Sequence, residues 1–162
     1  PLTGELHDYV YRPMGMAGVG VRVALGWFEI APRALLVYGR HGTIFNDVEQ
    51  RQRVIGGGLQ VQFGVPLEHR SFRFTPGVEV SWLYLERTIE LDQYPFAGQI
   101  ETQSGHVPVA GVFLRPELLL GEKKHFSVAL DLSADMVLTR LGDNDVSTNF
   151  SAKLLGGMGY AF

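Results

Sequence analysis

Alternation with a period of two, held over long runs, constrains this chain more than any other feature. From Phe72 to Leu85, Phe72, Phe74, Val78, Val80, Trp82 and Tyr84 fall on one face, with Arg73, Thr75, Gly77, Glu79 and Ser81 on the other. Phe126 to Leu138 repeats the pattern: Phe126, Val128, Leu130, Leu132, Ala134, Met136 and Leu138 alternate with Ser127, Ala129, Asp131, Ser133 and Asp135. Ile55 to Leu67 sets Ile55, Leu59, Val61, Phe63, Val65 and Leu67 against Gly56, Gly58, Gln60, Gln62 and Gly64. Ala17 to Trp27 does the same around Arg22. A helix turns by 3.6 residues and would mix these sets, whereas a strand keeps them apart. Each run is about twice the usual strand of roughly 5 or 6 residues in soluble proteins. A strand tilted through a bilayer needs about 9 to 11 residues in the hydrocarbon alone. Length and alternation together predict a closed, antiparallel, up-and-down transmembrane β-barrel of about eight strands.

Composition narrows the alternatives. The chain has 162 residues, suited to a single domain over 1–162, and 19% of them are charged against about 25% in soluble domains. Mean hydropathy is only +0.07, too low for a helical membrane protein. The longest run without Asp, Glu, Lys or Arg, Val54 to Leu67, contains three consecutive glycines, Gln60, Gln62 and Pro66. It is too short and too polar for a spanning helix of about 20 apolar residues. Cysteine is absent, which excludes disulfides and thiol chemistry. The net charge of −3 with no basic run argues against nucleic acid as a partner. The chain opens at Pro1 without a charged-then-apolar leader, as expected of a mature form or one trimmed from a longer precursor.

Strands are expected near 3–12, 15–27, 32–41, 53–67, 72–90, 106–120, 125–140 and 149–162. Short connections then fall at Phe28–Ala31, Glu68–Ser71 and Glu122–Lys124, and longer polar ones at Gly42–Gln52, Asp92–Gly105 and Gly142–Thr148. The alternation of short and long matches tight periplasmic turns and longer extracellular loops. The first segment alternates poorly. Without it the count is seven, which closes badly.

The last ten residues, Lys153-Leu-Leu-Gly-Gly-Met-Gly-Tyr-Ala-Phe162, resemble the closing strand of Gram-negative outer membrane β-barrels. Phe162, Tyr160 and Gly157 match that family's C-terminal insertion signal, and Leu155 departs at its polar position. Size and strand count make the chain similar to the small OmpA-type and OmpX-type barrels. The resemblance implies a bacterial outer membrane location, contact with outer membrane lipid and lipopolysaccharide, insertion by the barrel assembly machinery, and other envelope proteins as partners. It also implies both termini in the periplasm and the loops around Asn46, Tyr94 and Asn144 outside.

With the apolar face toward lipid, the opposite face fills the interior. The expected inward set is Arg22, Gln60, Gln62, Arg73, Glu79, Arg87, Arg115, Glu117, Asp131, Asp135 and Lys153. Acids and bases occur in comparable numbers, and buried charges persist only when paired. An eight-stranded barrel is just wide enough for side chains to fill. The predicted candidate site is therefore a lumen charge cluster of Arg22, Glu79, Arg115, Glu117, Asp131, Asp135 and Lys153, within which Glu79, Arg115, Asp131 and Lys153 meet.

No catalytic set, metal site or cofactor is indicated. His125-Phe-Ser127 resembles the His-x-Ser pair of lipid A deacylases, but stands at a turn and lacks the family's Glu, with Thr139 near that position. The five histidines are scattered, and Asp143-Asn144-Asp145 lacks the spacing of a calcium loop. The function expected is a non-enzymatic anchor, scaffold or surface interaction protein. The alternatives are a narrow channel for ions or small solutes, and a lipid-modifying enzyme. A soluble lipocalin-like or streptavidin-like barrel is the alternative fold, with Phe72, Phe74, Val80 and Trp82 turned into a ligand cavity.

Overall fold

A computed structural model describes residues 14–45, 48–91, 99–121, 123–141 and 145–160. They form strands β1 (Gly15–Gly20), β2 (Val23–Leu25), β3 (Phe28–Phe45), β4 (Val48–Gly64), β5 (Leu67–His69), β6 (Phe72–Leu91), β7 (Gln99–Leu120), β8 (Phe126–Leu141) and β9 (Asp145–Tyr160). All belong to one antiparallel sheet in the order β1-β3-β4-β6-β7-β8-β9, with β2 on β3 and β5 on β6.

Prolines account for the interruptions. β1 and β2 keep one register on β3, from Gly20 opposite Arg33 to Val23 opposite Ile30. The break lies opposite Pro32, which has no N–H to donate, although its carbonyl still accepts from Val21 N at 3.1 Å. β4 and β5 are likewise one pass on β6, interrupted beside Pro66 and Pro76, and Val65 N donates to Pro76 O at 3.0 Å. The β7–β8 ladder skips the pairs of Arg115 and Pro116 without changing register. The nine segments are thus seven long up-and-down passes.

The connections differ from those expected. The first turn is Gly26-Trp27 rather than 28–31, with Leu25 opposite Phe28. Gly26 has φ +68 at the first position of a two-residue hairpin turn, where glycine meets no Cβ penalty. At the other end the long connections are largely strand. β3 and β4 stay paired out to Phe45 and Val48, β7 begins at Gln99 and β9 at Asp145. These hairpin arms are polar, so they lack the apolar stripe that marks the other segments as strands. The expected strand at 3–12 and the loop residues Asn46, Tyr94 and Asn144 lie outside the described residues.

The sheet curls. β3 is three and four places from β7 and β8 in the sheet order, which in a flat sheet is about 14 to 19 Å. Yet Arg33 on β3 bonds Asp131 on β8, and Glu29 on β3 pairs with Arg115 on β7. The concave side is therefore filled by side chains, and the convex side is apolar and exposed. Trp82 is 57% exposed, Phe72 47% and Val80 50%, so the cavity-lining arrangement of a soluble ligand-binding barrel is not the one adopted. Along β6 the outward row runs from Phe72 to Tyr84 before turning polar at Glu86. Aromatic rings mark both margins. Trp27, Phe72, Phe126 and Tyr160 stand near the short turns, and Tyr38, Trp82 and Tyr84 toward the long hairpins. At that upper margin Trp82 Nε1 donates to His106 Nδ1 at 3.0 Å.

Candidate functional site

The concave side holds two layers of opposite character. Nearer the short turns lies an ion network, and above it an apolar layer. Both follow from strand parity, since every second residue must point inward.

The network begins at the rim. Arg22, in the break between β1 and β2, donates from Nη1 and Nη2 to the two carboxylate oxygens of Glu117 at 2.8 and 2.7 Å. This is the fork geometry that makes Arg–carboxylate pairs strong. Arg22 Nη2 also donates to Ser127 Oγ at 3.2 Å, and Arg73 Nη1 lies 3.6 Å from Glu117. One arginine of the first pass thus reaches β7 and β8.

Deeper in, Arg115 is fully buried and central. It pairs with Glu29, sits 3.8 Å from Asp131 through Nε, and donates from Nη1 to Gln62 Oε1 at 3.1 Å. Its guanidinium carbon also lies 5.4 Å from the centre of the Phe113 ring, within cation–π range. Gln62 passes the connection on, donating to Glu79 Oε2 at 2.7 Å. Glu79 bonds Lys153, and Lys153 reaches Asp135 Oδ2 at 3.3 Å. Arg33 closes the far side on Asp131. Five cations (Arg22, Arg33, Arg73, Arg115, Lys153) face five carboxylates (Glu29, Glu79, Glu117, Asp131, Asp135). Their charges cancel.

The seven residues of the predicted charge cluster all belong to this network, and Glu79, Arg115, Asp131 and Lys153 join through Gln62. Glu29 and Arg33 are the members that sequence reasoning missed. Arg87 is buried on the other side of the apolar layer, with Gln52. At the C-terminus Tyr160 is exposed and packs edge-on against Phe126 at 5.0 Å. Gly157 is exposed with open space where a Cβ would stand, and Phe162 lies outside the described residues.

Comparison with protein-family models, curated proteins and solved structures returns no match. What the network can do must be read from its geometry.

Every ionic member engages a partner on another strand, and several of those contacts cross the interior. These contacts tie β3 to β7 and β8, and β6 to β9, across the concave side. Phe113 adds a mechanical detail. Its ring occupies the space over Gly64 and Gly77, where a Cβ on Gly77 would meet the ring at 2.6 Å and one on Gly64 at 3.1 Å. Above the network, Leu35, Val37, Val54, Leu83, Leu85, Val107 and Val137 form one buried apolar cluster, with Met14, Met16 and Val109 against it. His125 and Ser127 have separate engagements: the imidazole stacks on Tyr160 at 5.7 Å, while Ser127 Oγ accepts from Arg22. Among the described residues no three metal-ligating side chains converge. Outside the buried region, at the short-turn rim, Lys124 Nζ bonds Glu68 at 2.8 Å and Arg73 approaches it at 3.4 Å. The Lys124 hydrogen bond holds the Glu68 carboxyl below its ordinary value against the opposing effect of burial, helped by the Arg73 and Lys124 charges.

Proposed function

We propose that this chain is the membrane-spanning barrel of a bacterial outer membrane protein and serves as a non-conducting anchor or scaffold. The observation that carries the reading is the inversion of a soluble protein: charges buried on the concave side, aliphatic and aromatic side chains exposed on the convex one. Soluble monomers rarely leave contiguous apolar surface beyond a few hundred Å². In hydrocarbon, by contrast, that surface is at home, and aromatic margins suit the headgroup level.

Strand direction sets what closure would need. Seven antiparallel passes leave the first and last running the same way, both toward the short turns. An antiparallel barrel then needs one strand of opposite direction between β1 and β9. The strand expected from sequence at 3–12, outside the described residues, is the candidate to supply it. Arg22 is already within reach of β9, its Nη2 standing 2.8 Å from where a Cβ on Gly159 would be.

The apolar layer favours an anchor over a channel, because water and ions find no polar partners across it. Lipid and lipopolysaccharide around the barrel, the assembly machinery at Gly157, Tyr160 and Phe162, and envelope proteins at the long hairpins are the partners this reading assigns. It excludes a catalytic role for His125 and Ser127. The test is partitioning followed by gel mobility with and without boiling. A membrane-fraction protein whose mobility shifts on boiling fits the reading, and one freely soluble without detergent refutes it. Steady conductance in planar bilayers would refute the anchor and leave the barrel.

A further inference from the structure

Above the apolar band, the outward face of the β3–β4 hairpin carries three arginines. Arg40 and Arg53 are directly opposite each other in register, and Arg51 is one outward position further along β4. All three are exposed. Arg51 faces Glu90 on β6, whereas Arg53 faces Thr88. Like charges placed directly opposite on a sheet repel, with Cβ atoms about 4.5 to 5.5 Å apart. Among the described residues neither Arg40 nor Arg53 has an ion-pair partner. The nearest carboxylates in register, Glu86 and Glu90, are diagonal to Arg53 on the side away from Arg40. Immediately below the pair on the same face stand Tyr38 and Ile55, half exposed and opposite each other.

Two arginines opposite each other in register, above an aromatic and an aliphatic side chain, offer a charged top and a greasy floor. A phosphate accepts hydrogen bonds from both forks at once, and the repulsion between the arginines turns into attraction for a shared anion. The apolar floor suits an anion attached to hydrocarbon. We infer that Arg40 and Arg53 bind the phosphate of a membrane lipid headgroup, with its acyl chains descending past Tyr38 and Ile55 along the convex face. The inference rests on the membrane reading and deepens it by naming a lipid contact at the long-hairpin side.

The test uses the full chain folded in detergent, titrated with phosphatidic acid or phosphatidylcholine and read by native mass spectrometry. Retention of phosphatidic acid with a preference of about tenfold or more is expected, since two charge-assisted contacts are at stake. The Arg40→Gln/Arg53→Gln variant should lose that preference. Arg40→Lys/Arg53→Lys should keep part of it, charge being retained without the fork. Arg70→Gln/Lys123→Gln, which removes two cations from the opposite rim, should retain it, and boiling-dependent mobility verifies folding of each variant. No preference in the folded wild type, or an equal loss in the opposite-rim variant, overturns the inference. Full competition by inorganic phosphate would make a free anion the ligand and likewise overturns it. Failure of the membrane reading looks different: the chain then stays soluble without detergent and no mobility shift exists to be tested.

Discussion

Lys153→Met interrogates the ion network at a junction where one cation serves two carboxylates. Lys153 is the cation between two buried carboxylates, Glu79 and Asp135, which are 1% and 4% exposed. Methionine keeps the length and apolar stem of lysine, so the change is one of charge rather than volume. Five cations against five carboxylates become four against five, and the excess sits where water is scarce. Breaking a buried pair by removing one partner costs about 3 to 5 kcal/mol. Partial exposure of Lys153, about 10% of its side chain, favours the lower end, so about 3 kcal/mol is expected. Equilibrium unfolding in urea, followed through Trp27 and Trp82 in micelles, provides the assay. With a slope of about 1 to 3 kcal/mol per molar, the midpoint should fall by roughly 1 to 3 M. Adding Glu79→Gln restores four against four, and the new amide keeps a hydrogen-bonding group beside Gln62. The double variant should therefore lie at least about 1.5 kcal/mol above the sum of the single effects. A stability within about 0.5 kcal/mol of wild type for Lys153→Met, or additive effects in the double, would refute a network in which charges are matched one for one.

Other outcomes follow from the same structure. Gly77→Ala places a methyl against the Phe63 backbone carbonyl as well as the Phe113 ring, so a loss of about 1 to 3 kcal/mol is expected, which Phe113→Leu should relieve only in part because the backbone contact remains. Leu132→Arg, on the outward face of β8, should cost about 2 to 4 kcal/mol in a bilayer; a negligible cost in vesicles would speak against lipid on that face. The depressed carboxyl of Glu68 contributes stability above its unfolded value that is lost as pH falls through the folded one. Both partners are well exposed, so at most about 1 kcal/mol is at stake. Glu68→Gln should remove that acid-side slope by lowering stability at neutral pH by at most about that 1 kcal/mol and leaving it unchanged at acid pH, as urea titrations at several pH values would report.

The alternation that defines β6 and β8 was legible because their outward rows are apolar and most of their inward rows near the short turns are polar. It was less informative on β3, where Leu35 and Val37 point inward and Leu36 and Tyr38 outward. With both faces apolar, parity gives no contrast, and Arg33 could not be assigned to the interior. Glu29 was hidden for a different reason. Phe28–Ala31 reads as a polar-apolar mixture like a turn, while the actual turn is set two residues earlier by Gly26. The one available signal was that glycine, followed by Phe28 and Ile30 in step with the outward row. Pairing within the interior depends on curvature, which brings β3 opposite β7 and β8, and no local pattern encodes that distance.

The apolar layer also has an electrical consequence. In a membrane, voltage falls mainly across the region of lowest polarizability between two conducting solutions. Here that region is the thin stack around Leu35, Val54, Leu85 and Val107, while Arg22 and Arg73 keep the ionic half in touch with the short-turn side. A charge carried through the full potential would gain about 2.3 kcal/mol per 100 mV. In a chain spanning a membrane as proposed, the network would lie on one side of the drop, and its pairing would be insulated from changes in membrane potential.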